Sequence, residues 1–241
     1  MRATLPPKPG LYVSGNRLLD ALPEADRAGL EADLEIVSLE AHKFTHSVGG
    51  VMSHVNFPID AVLSVVATLK NGETVEVGTV GREGFVESDA ALDSPLSQRT
   101  SFCQVRGTVG RMSIERFEAR MASSATFARL MRRNVRALLF SAQQFAACNA
   151  KHSILQRSAR WLSMTGDRVG SAEFTLSFDF LAIMLGVGRP GVSAAADALQ
   201  NTGAITYHRG AWKILDKPLL NATACECYEA CKLAFAASLR G

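Results

Sequence analysis

The chain has 241 residues, 47% of them hydrophobic and 20% charged, with 19 Gly and 8 Pro. That is enough apolar material for a sizeable core, which excludes a disordered or low-complexity chain, and the length allows one large domain or two modest ones. Apolar runs are interrupted by Arg, Lys or Gln, so no membrane-spanning helix is expected; the first fifteen residues lack the apolar segment of a secretory leader, so a cytoplasmic location is expected.

An apolar segment from Leu18 to Leu30 reads as a helix leading into a β region. Between residues 34 and 112, short β-branched or aromatic runs (LEIVSL, VMSHVNF, AVLSVVATL, ETVEVGTV, FCQVRGTVGRM) alternate with Gly, Pro and Asn punctuation. Asn71-Gly72 predicts a hairpin over 61–80 with a type I′ turn. Strands at this spacing without intervening helices suggest an antiparallel sandwich or jelly roll.

Net charge changes sign along the chain. Residues 1–112 carry 10 basic and 14 acidic side chains, residues 113–160 carry 9 and 2, and residues 161–241 carry 7 of each. A basic stretch after an acidic one marks a junction and invites a polyanion or an acidic partner. The period also changes there. Phe127, Leu130, Met131, Val135, Leu138, Leu139, Ala142, Phe145 and Ala146 recur at three and four, with Arg129, Arg132, Arg133 and Arg136 between them, which predicts a long amphipathic helix over about Ala125–Cys148. Such length and stripe width fit a helix packing on its own β domain with one flank and on a second copy with the other; a plain core helix is the alternative.

A shorter helix is expected over His152–Met164. Ser177 is a good N-cap for a helix through Phe180, Leu181, Met184 and Leu185 that ends at Gly186. Gly188 and Pro190 start another, with Val192, Ala195, Ala196 and Leu199 as its apolar face, ending at Gly203. AITYHRGAWKIL then reads as two short strands around His208-Arg209-Gly210. Helix, tight turn, helix and β-hairpin make a helix-turn-helix with a wing, an arrangement suited to double-stranded DNA. The second helix exposes Arg189, Ser193 and Asp197, and its small Gly191 and Ala194 leave room near base edges.

Residues LAIMLGVGRPGVSAAADALQNTGAITYHRGAWKILD resemble the winged helix-turn-helix of the Crp/Fnr family of bacterial transcription regulators. The order of β region, long helix and winged helix resembles that family over roughly residues 30–220. The resemblance implies an α+β fold: an N-terminal β-roll of jelly-roll type over 1–120, a dimerisation helix over 121–150 and a winged helix-turn-helix over 151–241. It implies a homodimer on a palindromic DNA site, with Arg189 and Ser193 reading bases. Ser177, Gly188, Arg209 and Lys213 would hold the DNA backbone, Lys151, Arg157 and Arg160 would lie close to it, and RNA polymerase is a further expected partner. It also implies an effector pocket around Glu83, Gly84, Phe85, Arg99 and Thr100. Arg99-Thr100 matches one half of a cyclic-nucleotide cassette, but Val86 stands where the ribose-binding Glu belongs and Glu87 is displaced by one. Cyclic AMP is therefore not expected as the effector, whose identity is left open, and no cofactor is expected. The first cysteine is Cys103, too late for N-terminal iron–sulfur ligands.

The alternative is a cupin-like metal- or small-molecule-binding protein whose winged helix meets another protein. His42, His46 and His54 lie in the β half for such a site, but His42 and His46 are four apart where same-face strand ligands would be two apart. Cys225, Cys227 and Cys231 offer three local ligands where structural zinc usually has four, so no metal is expected and the cysteines read as free thiols on a C-terminal helix. No P-loop, nucleophile elbow or dinucleotide-binding turn occurs, so the chain is not expected to be an enzyme.

Overall fold

The computed structural model of the chain describes residues 15–94 and 96–240; the stretch inspected for a leader lies almost wholly outside the described residues. The expected helix from Leu18 to Leu30 is instead three single turns, α1 (Arg17–Asp20), α2 (Glu24–Arg27) and α3 (Leu30–Asp33). Pro23 stands before the second and Gly29, at φ 77°, before the third, and each interrupts the helical hydrogen-bond ladder.

Strands β1 (Leu34–Leu39), β2 (Phe44–His46), β3 (His54–Pro58), β4 (Val62–Thr68), β5 (Thr74–Val80), β6 (Thr100–Val105) and β7 (Gly107–Ser113) form two antiparallel sheets, ordered β1-β7-β3 and β2-β6-β4-β5. The run from Phe102 to Met112 is two strands split at Arg106. Gly107 is required there: a Cβ would stand 2.5 Å from the Ala61 nitrogen. The β4–β5 hairpin falls where Asn71-Gly72 put it, but the turn differs. Gly72 has φ 86° and Asn71 does not have a positive φ; Gly72 N–H donates to Leu69 O and Leu69 N–H to Glu73 O, a three-residue loop closed by a left-handed glycine rather than a type I′ turn.

Ser113 caps α4 (Ile114–Ser123), and Ser124 ends it and caps α5 (Ala125–Lys151). At 27 residues α5 is about 40 Å long. Its buried face carries Phe127, Leu130 and Met131 into a core with Phe57, Phe85 and Phe117, whose rings pack at centroid distances of 5.6–6.4 Å. A capping box of Ser153 and Gln156 starts α6 (Ile154–Val169). Then come β8 (Glu173–Thr175), α7 (Phe178–Leu185), α8 (Arg189–Asn201), β9 (Ile205–His208), β10 (Ala211–Ile214), α9 (Lys217–Thr223) and α10 (Cys227–Ser238). The wing is a three-stranded sheet, β8-β10-β9; β8, at three residues, is too short to show a period.

Two packing relationships position everything else. One apolar core runs across the β region and the C-terminal helices, joining Val62, Val66 and Phe102 to Trp161, Phe180 and Leu181. And α10 folds back along α5 instead of staying with the wing: Phe145 of α5 shares a cluster with Tyr228 and Cys231, and Arg133 Nη1 donates to Arg240 O at 2.7 Å.

Candidate nucleic-acid interface

The bend between α7 and α8 is 108°, within the range of helix-turn-helix units. It is made by Gly186 at φ 61°, whose amide closes on Ile183 O while the Val187 amide reaches Ala182 O. Ser177 Oγ accepts the Phe180 amide at 3.1 Å, so this hydroxyl serves as the N-cap of α7. Val192, Ala195, Ala196 and Leu199 are buried and fasten α8 by the face read from its period. Gly188 and Arg189 at its N-terminal end are exposed, Ser193 is half-buried, and Ala194 and Asp197 are exposed. Gly188 caps α8 without a side chain and the positive end of the dipole faces outward, but Pro190 has no N–H and the Gly191 amide turns back onto Gly188 O.

Gly191 has a different role from the one expected. A Cβ there would come within 2.8 Å of Ile154 Cδ1, so it admits α6, not a base pair. The wing turns on Arg209 at φ 47° and Gly210 at φ 88°, both left-handed, as a two-residue hairpin demands, and carries exposed Arg209 and Lys213 beside α8. Arg189 Nε lies 3.4 Å from Asp179 Oδ1, and Lys213 Nζ lies 2.7 Å from Glu173 Oε1; all four side chains are more than half exposed.

Arg157 and Arg160, expected to approach the DNA backbone, are instead buried. Arg157 donates through Nη2 to Leu185 O, and the Arg160 guanidinium lies 4.3 Å from the centre of the Phe145 ring with Nη1 on Met164 Sδ. Their amphipathic positions match solvent-facing arginines in sequence, but α7 takes up Arg157, and Arg160 enters the cluster that Phe145 and Met164 form with α10. Lys151 is exposed.

The residues expected at an effector pocket separate. A cavity of about 260 Å³ opens between the β region and α5, lined among others by Phe85, Glu87, Asp89, Arg99 and Ser101 and, from α5, Leu138. Phe85 and Arg99 belong to it; Glu83, Gly84 and Thr100 do not. Glu83 is buried against α6, where Arg168 Nε donates to it at 2.6 Å. Gly84 is clamped by α5, its added Cβ falling 2.9 Å from Asn134 Oδ1, and Thr100 Oγ1 accepts the Val48 amide. The amides of Gly84 and Val86 are spent on Gly81 O and Asn56 O, so this turn offers neither to a phosphate. Arg99 at the rim is 2.5 Å from Asp89. Glu87, displaced by one in sequence, is the buried polar group of the cavity: it accepts from the Asn56 amide, Asn56 Nδ2 and Ser101 Oγ at 3.0–3.1 Å. Burial pushes its carboxyl up to about 7 against those hydrogen bonds.

The histidines of the cupin alternative are scattered. His42 stacks edge-on against Phe180, His46 meets Gly50 O, and His54 meets Ser53 Oγ. Among the described residues none of them belongs to a converging ligand set, and no single helix is long and apolar enough to cross a membrane.

Residues 156–223 match the Crp-like helix-turn-helix domain. Solved structures share the fold of about four fifths of the chain. A CRP-family transcriptional regulator from Thermus thermophilus superposes at TM-score 0.65 with 18% identity, over 79% of this chain and 99% of that one. FixK2 from Bradyrhizobium japonicum gives 0.66 and 13% over 80% and 98%. The c-di-GMP-responsive regulator CLP of Xanthomonas campestris gives 0.62 and 14% over 80% and 99%. No curated protein matches at the sequence level.

Proposed function

Starting from a Crp-like helix-turn-helix domain set in the fold of the Crp/Fnr transcription regulators, we propose that the protein is a homodimeric, sequence-specific DNA-binding regulator. The observation that carries this reading is the exposed N-terminal end of α8, with Arg189 and Ser193 on it and the Arg209–Lys213 wing beside it. Arg189 can bond O6 and N7 of one guanine, while Ser193 sits one turn on. Arg209 and Lys213 meet phosphates, with the positive end of the α8 dipole beside them. The ion pairs of Arg189 and Lys213 do not prevent this, because exposed pairs are worth about 0–1 kcal/mol and a phosphate replaces the carboxylate.

Dimerisation is assigned to α5. Its outward side presents Arg132, Arg136, Leu139, Phe140 and Gln143, and Leu139 is 58% and Phe140 39% exposed in the single chain. Leu138 lines the cavity and is only partly exposed, and Leu139 stands at the cavity as well as on the outward side. A two-fold axis along α5 would present two α8 helices to successive major grooves.

The effector is a small molecule seated between the β region and α5, and cyclic AMP does not suit the cavity. The Gly84 and Val86 amides are occupied, and the buried carboxyl inside, Glu87, is pushed toward its neutral form by burial. A largely apolar ligand with one hydrogen-bonding group fits this lining, and the cavity is at the small end for ligand sites. CLP, of the same fold, is described as responsive to c-di-GMP, so the architecture is not tied to one effector.

The test is binding of selected duplexes by the full chain. Arg189→Ala should cost about 1–3 kcal/mol at one base position and relax specificity there, while Lys213→Ala should weaken all sequences alike and reduce the salt dependence. Identical behaviour of the two variants would reassign the winged helix to a protein partner.

A further inference from the structure

Three cysteines and a histidine that are far apart in sequence converge where α5 gives way to α6. Cys148 is in the last turn of α5 and His152 is its C-cap residue; Cys225 lies in the link between α9 and α10, and Cys227 opens α10. One donor atom from each lies within 4.8 Å of all the others. Cys148 Sγ and Cys225 Sγ are 3.4 Å apart, and Cys227 Sγ is 3.6 Å from His152 Nδ1. A tetrahedron built on zinc–sulfur bonds has edges of about 3.8 Å. Cys231 is absent from the group; it packs with Phe145, Met164 and Tyr228 instead. The local cysteine count of three therefore gives way to a four-ligand set with a different membership.

We propose that Cys148, His152, Cys225 and Cys227 bind one zinc-type divalent cation as a closed structural centre that ties the end of α5 to the α9–α10 link. Three further observations support it. First, the thiols are deeply buried, Cys148 and Cys227 at 0% and Cys225 at 3% exposure, as a site without an open coordination position requires. Second, the surrounding groups are those that orient metal ligands. Glu226 Oε1 lies 3.2 Å from His152 Nε2, which leaves Nδ1 to face the thiols as the electron-pair donor, and Gln144 Nε2 donates to Cys227 Sγ at 3.2 Å. Third, the centre partly compensates buried charge. Arg157 and Arg160 are buried with no carboxylate at ion-pair distance among the described residues, and the Nε of each has no hydrogen-bond partner. Three thiolates and a neutral imidazole on a divalent ion carry one net negative charge, which offsets one of the two buried cations, where four neutral ligands would offset neither.

Loading forms three metal–sulfur bonds and one metal–nitrogen bond and releases three thiol protons to solvent; no electrons move. The compact donor set favours one ion over a two-iron cluster, whose ligand pairs stand on opposite sides of the cluster. Because His152 ends α5 and Ser153 caps α6, the ion would set the angle at which the helix-turn-helix leaves the long helix.

The experiment is elemental analysis of the full chain purified in the presence of reductant, followed by titration of the metal-free chain with cobalt(II) alone. One equivalent of zinc per chain is expected, together with the ligand-field bands and thiolate-to-cobalt absorption of a tetrahedral thiolate site that saturate at one equivalent. Cys148→Ser and Cys225→Ser should abolish both, Glu226→Gln should weaken binding by about 10- to 100-fold, and Cys103→Ser and Cys231→Ser should change neither. Where a cysteine variant fails to fold, His152→Ala, which keeps every thiol and substitutes only the half-buried ligand, reads the same loss. Absence of both zinc and a saturable cobalt spectrum, iron with sulfide in place of zinc, a Cys148–Cys225 disulfide that persists in reductant, or equal loss in Cys231→Ser would each overturn the proposal.

Discussion

Glu76 and Trp161 stand 85 residues apart in sequence, yet the indole Nε1–H of Trp161 donates to the Glu76 carboxylate at 2.9 Å in a fully buried setting. Ser64 Oγ reaches the other carboxylate oxygen at 2.7 Å and also Gln104 Oε1 at 2.6 Å, while Gln104 Nε2 touches Thr165. This polar chain passes from the β4–β5–β6 sheet into α6, inside the core shared by both regions. It is a polar link between that sheet, which also lines the cavity, and α6, running beside the apolar core that joins the same regions.

Trp161→Phe should therefore lower stability by about 1–3 kcal/mol, the cost of leaving a buried acceptor short of a donor. At about 2–4 °C per kcal/mol for a chain of this size, thermal unfolding should shift by several degrees. Glu76→Gln should be milder, because burial already raises this carboxyl toward its neutral form. Calorimetry of the two variants checks the order; a larger loss in Glu76→Gln would contradict the assigned bond.

Dimer formation should depend on Phe140 and not on Leu138. Phe140→Asp places a charge in the proposed two-fold contact, where burial without a partner costs several kcal/mol, and should give monomers in sedimentation equilibrium at concentrations where the parent chain is dimeric. Leu138→Asp acts inside the cavity of the single chain and should instead lower its melting temperature. Monomers in the parent protein would contradict the assignment of α5.

Glu87 should make stability depend on pH. Its folded-state value of about 7 lies above the ordinary 4.5, so the folded chain holds this proton more tightly than the unfolded chain does. The resulting stabilisation is complete below 4.5, declines through the interval and is gone above about 7. A shift of that size corresponds to about 3 kcal/mol. Denaturant unfolding on either side of the interval should show the parent chain losing stability with rising pH and Glu87→Gln losing much less. Equal slopes would place the titration elsewhere.

Glu173, 2.7 Å from Lys213, should compete with DNA for it. Removing its charge in Glu173→Gln should raise affinity by up to about fivefold, the value of an exposed pair, without altering the preferred sequence. Fluorescence anisotropy with matched and mismatched duplexes separates the two effects.

Much of this architecture was readable because it rests on short-range chemistry. Ser177, Gly186, Gly188 and Pro190 delimit α7 and α8 by caps and backbone limits that act within one turn, and the period of Val192, Ala195, Ala196 and Leu199 identifies the buried face of α8. What escaped depends on distant contacts. Arg157 and Arg160 read as solvated charges because nothing in their neighbourhood announces that α7 will take up the first and that α10 will help enclose the second. Gly191 faces Ile154 from another helix, and Cys148 joins Cys225 across 77 residues. The pocket residues failed for a related reason: a motif places Glu83 and Thr100 in a turn and a strand, but only packing against α5 and α6 decides which neighbours line a cavity. Leu138 and Phe140 are two apart on one helix, and the fold alone puts the first in the cavity lining and leaves the second exposed outside it.

Selection of bound duplexes from random DNA by the full-length chain tests the central claim most directly. The account predicts an inverted repeat whose half-site centres lie about 10 base pairs apart or a multiple of that, set by two α8 helices entering major grooves on one face of the duplex. It also predicts that the same selection with Arg189→Ala loses preference at one symmetric base position while keeping the spacing. Recovery of no motif, or of an asymmetric one unaffected by Arg189→Ala, would contradict it.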